Sequence, residues 1–362
     1  MSLPLHEFHH AIGARFAELD GAEIVADYGD WLAEHQSLCE TAGIFDLSFR
    51  SRLCLAGSDR ARFLHGQVTN DVKKLRVGEG CYAAITTAKG KMESDLNIFN
   101  LPDELLLDFE PGLSEKISQR LEKFIVADDV QIVDVFPLYG LLSVQGPKAE
   151  NVVRALNLFP EIPAKQLDSV KISDTTLGEI YLANNPRLGP GGFDLFVPNN
   201  SLGAVADKLI AAAKQTGGRA TGWTAFETAR VEAGIPRFGA DMDGTNIPLE
   251  CGIEGRAVSY SKGCYIGQEV INRIHSVGHV TRELRGLRLA DDLKMLPQRG
   301  DKLFFNGKEI GFITSAVKSP SLNTSIALGY VRREANQIGN SLTLRTAAGE
   351  SPAKIVELPF VK

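Results

Sequence analysis

The chain holds 362 residues, 44% hydrophobic and 23% charged, the composition of a soluble globular protein with material for two or three domains. A formal net charge of −6 argues against broad, non-specific nucleic-acid binding, although it says nothing about a local basic cleft. Five cysteines (Cys39, Cys54, Cys81, Cys251, Cys264) form no CxxC pair, which gives neither a disulfide framework nor a zinc site and fits a reducing compartment.

Residues 6–20, HEFHHAIGARFAELD, place Phe8, Ile12, Phe16 and Leu19 at helical spacing and predict an amphipathic helix. No signal-type apolar stretch opens the chain, and no segment approaches the ~20 apolar residues that span a bilayer. The expectation is a cytoplasmic protein with no nucleic-acid or membrane partner. RSRLCLAG at 50–57 alternates, with Leu53 and Leu55 on one face, and predicts a strand. Ser58 is the expected N-cap of the next helix, which carries Phe63 and Leu64 and stops at Gly66.

Short apolar runs broken by AKGK and LPDE predict strands over 80–111, and Leu113, Ile117, Leu121 and Phe124 form one helical stripe over 112–125. Strands over 130–146 follow. Between 148 and 235 the pattern predicts helices near 148–157, 202–216 and 222–233, with strands near 167–197. From about 283 the chain turns to short alternating strands with Gly and Asn turns, the pattern of a small β-barrel. The expected fold class is α+β. The expected domains are 1–147, 148–282 and 283–362: two ferredoxin-like α+β units and the barrel.

SKGCYIGQEV at 261–270 is the stretch richest in chemistry. An arbitrary free cysteine is usually a buried, inert hydrophobe. Around Cys264, however, Lys262 can stabilise a thiolate, and the helix start at Gly267 offers backbone N–H groups and partial positive charge. Gly263 and Gly267 permit close backbone approach. Gln268 and Glu269 either decorate a first helical turn or meet a ligand, and Arg273 is spaced to pair with Glu269. Asp95 is out of place in a strand and needs a local reason to be there. Lys89, Lys91, Arg50 and Arg52 can each meet an anion, but the solvated-face reading is preferred for any single one. Seven scattered histidines, His9–His10 included, suggest no metal site.

Lys262-Gly263-Cys264-Tyr265-Ile266-Gly267-Gln268-Glu269 resembles the signature of the folate-binding YgfZ family, iron–sulfur cluster maintenance proteins related to the aminomethyltransferase of glycine cleavage, the T-protein. AGIFDLSFRSRLCLAG, FLHGQVTNDV, LLSVQGP, ARVEAGIPRFGADMD and the barrel segment IGFITSAVKSPSLNTSIALGYV extend the likeness over nearly the whole chain. The resemblance implies a three-domain arrangement around a central channel holding tetrahydrofolate or a one-carbon derivative. It implies Cys264 and Asp95 as acting residues. It implies Asp95, Arg230, Glu232, Lys262, Gly263, Tyr265, Gly267, Gln268 and Glu269 at the folate site, and iron–sulfur client proteins as partners.

Two departures from T-proteins stand out. PRLGPGGFDLFVP lacks the pterin-contacting glutamate, with Asp194 further along, and Ala225-Phe226-Glu227 replaces an Ala-Arg-Asp stretch. The leading expectation is a tetrahydrofolate-binding protein supporting assembly or repair of iron–sulfur enzymes, its signature cysteine beside the folate channel. The alternatives are a folate-dependent aminomethyltransferase and a non-catalytic scaffold.

Overall fold

Residues 2–361 are described by the computed structural model. Among them no helix is long and apolar enough to cross a membrane. Contacts divide the chain into one unit that runs to Ala83 and resumes over Ser94–Phe226, and a second formed by Ala84–Glu93 and Glu227 onward.

Two large sheets and a two-stranded N-terminal hairpin build the first unit. The six-stranded sheet runs Ser169–Asp174, Gly178–Asn184, Gly192–Pro198, Tyr139–Gln145, Gly43–Asp46 and Arg219–Ala220, antiparallel except for its last pair. It draws strands from both sides of residue 148. Alternation along Gly192–Pro198 gives it two unlike faces. Phe193, Leu195 and Val197 enter a core with Leu142, Val144 and the helix residues Val152, Val205 and Leu209. Asp194 and Phe196 fall on the opposite face.

The five-stranded sheet runs Gly80–Thr86, Met92–Asn100, Glu104–Phe109, Ser51–Ala56 and Gln131–Asp134. Along Met92–Asn100, Met92, Ser94, Leu96 and Ile98 are buried on one side, which leaves Asp95 and Asn97 on the other. The helices Arg60–Gln67 and Ser114–Glu122 pack on this sheet through buried residues such as Phe63, Leu64, Ile117 and Leu121. The two sheets touch where Phe99 meets Phe196, ring centroids 5.6 Å apart.

Sequence spacing misleads near the N-terminus. The helix expected over 6–20 spans only His6–Ala11, and Arg15–Leu19 pairs with Ala22–Asp27 as a hairpin. Asp20 and Gly21 both take positive φ, 50° and 80°, a two-residue turn geometry that overrides the helical spacing. His9 pins the short helix, its buried ring bonding Asp46 at 2.9 Å and the Tyr28 hydroxyl at 2.8 Å. Ser58 does not cap: Asp59 holds that position, while the Ser58 hydroxyl donates to Asp129, and Gly66 lies inside the helix.

The second unit carries the barrel. Six strands, Arg282–Leu289, Thr324–Arg332, Lys308–Ser319, Lys302–Phe305, Ser341–Thr346 and Gly349–Val356, close in that order. Leu287, Leu303, Ile313, Val331, Leu344 and Ile355 fill its interior. The α+β content and the barrel are as the sequence predicts.

Candidate functional site

The polar face of the five-stranded sheet carries a buried cluster of ion pairs. Asp108 is fully buried and accepts from Arg50 Nε at 2.8 Å, Arg187 Nη2 at 2.7 Å and Asn97 Nδ2 at 3.0 Å. Arg187 Nη2 also donates to Asp194 at 2.6 Å, and Asn185 donates to the same carboxylate at 2.8 Å. Arg50 reaches Glu110 as well. Arg187 therefore ties the two sheets together through Asp108 and Asp194. Burial alone would raise the Asp108 pKa, but the Arg187 and Arg50 charges overcome it and hold the carboxyl well below its usual range.

Arg50 and Arg52 are not solvated strand residues. Both are buried, and Arg52 donates to the carbonyls of Arg50, Ser48 and Tyr139. With Arg187 they set three guanidiniums against Asp108, Glu110 and Asp194. The reason lies in register: Arg52 stands opposite Asp108, so the arginine pair on one strand meets an acid pair on the next.

Asp95 lies on the same face, two residues from Asn97. It is half-buried and accepts from the Tyr82 hydroxyl at 2.7 Å. Tyr82, Asn97, Asp108, Glu110 and Arg187 were not singled out from sequence. A signal existed for four of the charges: charges two residues apart on a strand share a face, as Arg50 and Arg52 do, and Asp108 and Glu110 do. Phe226 stacks on Trp223 and meets Phe45 edge-on, with centroids 4.9 and 5.1 Å apart.

The other sequence-selected residues lie in the second unit. Lys262 is buried with its ammonium 4.8 Å from the Tyr265 ring centroid. Tyr265 is 7% exposed, and its hydroxyl has no hydrogen-bond partner among the described residues. Burial pushes this phenol up to about 12. Gly263 and Cys264 are exposed, Gln268 is partly covered, and Glu269 stands exposed in the first turn of the helix Gln268–Val277. Glu269 and Arg273 form no ion pair among the described residues.

Gly267 has φ of 90°, and a side chain there would bring Cβ within 2.6 Å of the Thr87 carbonyl. The Thr86 hydroxyl donates to the Ile266 carbonyl at 2.6 Å. The signature loop thus lies against the tip of the Ala84–Glu93 hairpin, and the close approach that Gly267 allows is to the chain itself.

Arg230 is buried and donates to Glu227, Asp241, Ser315 and the Ile235 carbonyl. Burial opposes its charge, and Asp241 and Glu227 raise its pKa nonetheless. Glu232 is buried and accepts from the Ser319 and Ser321 hydroxyls. These contacts tie the helix Trp223–Glu232 to strand Lys308–Ser319 and the turn after it.

Residues 5–262 match the GCVT N-terminal domain, and residues 282–362 match the glycine cleavage T-protein C-terminal barrel domain. The chain belongs to the glycine cleavage T-protein family. Proteins named aminomethyltransferase from Halalkalibacterium halodurans and Cupriavidus necator are each 29% identical to it over 99% of this chain, covering 97% and 96% of their own lengths. A crystal structure of glycine cleavage system aminomethyltransferase T from Bartonella henselae shares the fold, with TM-score 0.90, 23% identity and coverage of 100% of this chain and 98% of that one.

Proposed function

We propose that this T-protein family member binds tetrahydrofolate and acts in one-carbon transfer of the aminomethyltransferase type. The observation that carries the reading is the half-buried Asp95 carboxylate, bonded to the Tyr82 hydroxyl on a polar sheet face. Full-length relatives named aminomethyltransferase support it. A carboxylate so oriented can hold a proton at a reduced pteridine nitrogen, or stabilise positive charge developing there. Beside it, the ion pairs of Asp108 hold the sheet face rigid, so that Asp95 keeps its direction.

Calorimetric titration with tetrahydrofolate, on wild type and Asp95→Asn, tests binding; methylenetetrahydrofolate release from an aminomethyl donor tests transfer. Saturable binding is expected, with transfer reduced on the order of 100-fold in Asp95→Asn. Absence of binding to the wild type removes the reading and leaves a non-catalytic scaffold.

The exposure of Cys264 favours a second reading, that of the YgfZ branch: a tetrahydrofolate-binding protein that supports assembly or repair of iron–sulfur enzymes through this thiol. Cys264→Ala separates the two. Under transfer chemistry at Asp95 the variant keeps folate binding and transfer. Under the second reading it binds folate and no longer sustains iron–sulfur enzyme activity in cells.

A further inference from the structure

The outer face of the barrel carries a cavity of about 710 Å³ within the second unit, inside the range of about 300–1,000 Å³ typical of small-molecule sites. Its floor follows from strand register. Lys302 stands opposite Phe312, Phe312 opposite Tyr330, and Arg332, two residues on from Tyr330, opposite Arg282. The Arg282 guanidinium lies 4.9 Å from the Tyr330 ring centroid and 5.7 Å from that of Phe312. An aromatic floor thus supports a cationic wall.

The charges on that wall do not cancel. Lys302 pairs with Glu309 at 3.1 Å, and Glu334 is drawn to Lys308 at 2.6 Å. Lys91 Nζ and Arg282 Nη2 converge on one acceptor, the Thr245 carbonyl, at 2.7 and 3.2 Å. Glu250, 3.5 Å from Arg282 Nε, offsets one of these charges. Arg332 is exposed and its side chain makes no hydrogen bond or ion pair among the described residues. Lys91, Arg282, Lys302 and Arg332 against Glu250, Glu309 and Glu334 leave one net positive charge on the lining, in a chain whose overall charge is −6, although Glu334 also attracts Arg332. Two arginines directly opposite on antiparallel strands repel each other. A bound anion turns that repulsion into attraction.

We propose that this cavity binds a small molecule bearing two or more oxyanions on one chain, carboxylates or phosphates, with Lys91, Arg282 and Arg332 as its anchors. The aromatic floor carries the rest of the ligand, and the mixed charges at the rim limit the site to a short anion rather than a nucleic acid backbone. Neither Asp95 nor Cys264 belongs to its lining.

Isothermal titration of the intact protein with pyrophosphate and with tri-L-glutamate tests it, at low and at physiological salt. The wild type is expected to bind at least one of them saturably and one to one. Pyrophosphate alone marks the ligand as a phosphate, tri-L-glutamate alone as a polycarboxylate. Arg332→Ala and Arg332→Gln are each expected to weaken binding about tenfold, the loss of one charge-assisted contact. Their melting temperatures should not fall, because a repulsive strand pair is relieved. Lys302→Ala, on the same face but already paired, should change affinity less than about twofold. The proposal is overturned if neither probe binds, if both Arg332 variants bind as wild type does, or if Lys302→Ala loses as much as Arg332→Ala.

Discussion

Asp108 in the first unit is fully buried and shared by Arg50, Arg187 and Asn97, which come from three separate stretches of chain. Cys264 in the second unit stands exposed on a loop whose neighbours are fixed: Lys262 over a ring, Gly267 against the Thr87 carbonyl. In one region charge is buried and every partner is required. In the other the backbone is fixed and the exposed thiol is outside it. A buried charge must be matched to exist at all, whereas an exposed thiol can be exchanged without disturbing its support. The two regions should therefore respond in opposite ways to substitution.

The largest effect is expected from Asp108→Ala. It leaves two buried guanidiniums short of a carboxylate and should cost about 3–5 kcal/mol, read from urea denaturation. Stability unchanged in this variant would mean that the seam is wet and that burial does not govern it. The same carboxylate sets an acid limit. Its native pKa is depressed, so its contribution is fully present above the unfolded value of about 3.9 and is lost as pH falls toward the lower native value. Asp108→Asn should flatten stability against pH below about 4, relative to wild type.

Gly267→Ala comes next. Positive φ and a 2.6 Å approach to backbone together predict a loss of about 1–3 kcal/mol, visible as a lower melting temperature. The cost here arises from backbone, in contrast to the charge cost at Asp108. Tyr82→Phe should cost about 1 kcal/mol or less in stability, for one half-buried hydrogen bond, while it frees Asp95 to turn. The proposed role of Asp95 requires tetrahydrofolate titrations of this variant to show weaker binding.

The same contrast explains what could be read in advance. The signature loop is contiguous, so the glycine at the helix start and the cysteine before it were legible as one local object; the helix does begin at Gln268 with Gly267 at positive φ. The barrel was legible from alternation and turns. The ion-pair seam was not, because Arg50 and Asp108 lie 58 residues apart and Arg187 and Asp108 lie 79 apart, and only strand register brings them together. Arg50 and Arg52, each taken alone, look like solvated decoration, and no sequence pattern marks Arg187. The N-terminal hairpin is hidden for a related reason: its apolar residues fall at helical spacing, while the Asp20–Gly21 turn between two short strands decides the structure.

The smallest stability effect is expected at Cys264, and it is the most informative of the series. Cys264→Ala removes an exposed side chain from a loop held by other contacts, so stability should move by no more than about 0.5 kcal/mol. A thiol reagent applied to the native protein should label Cys264 within the time that leaves Cys54 and Cys251 untouched, because both of these are buried and burial pushes the Cys54 thiol up. Peptide mapping after labelling reads this directly. If Cys264 labels no faster than Cys251, the loop shields its thiol in solution, and the iron–sulfur reading loses the observation that favours it. If it labels fast and its removal leaves fold and folate binding intact, any function lost in Cys264→Ala belongs to the sulfur atom itself, a group that the fold does not need.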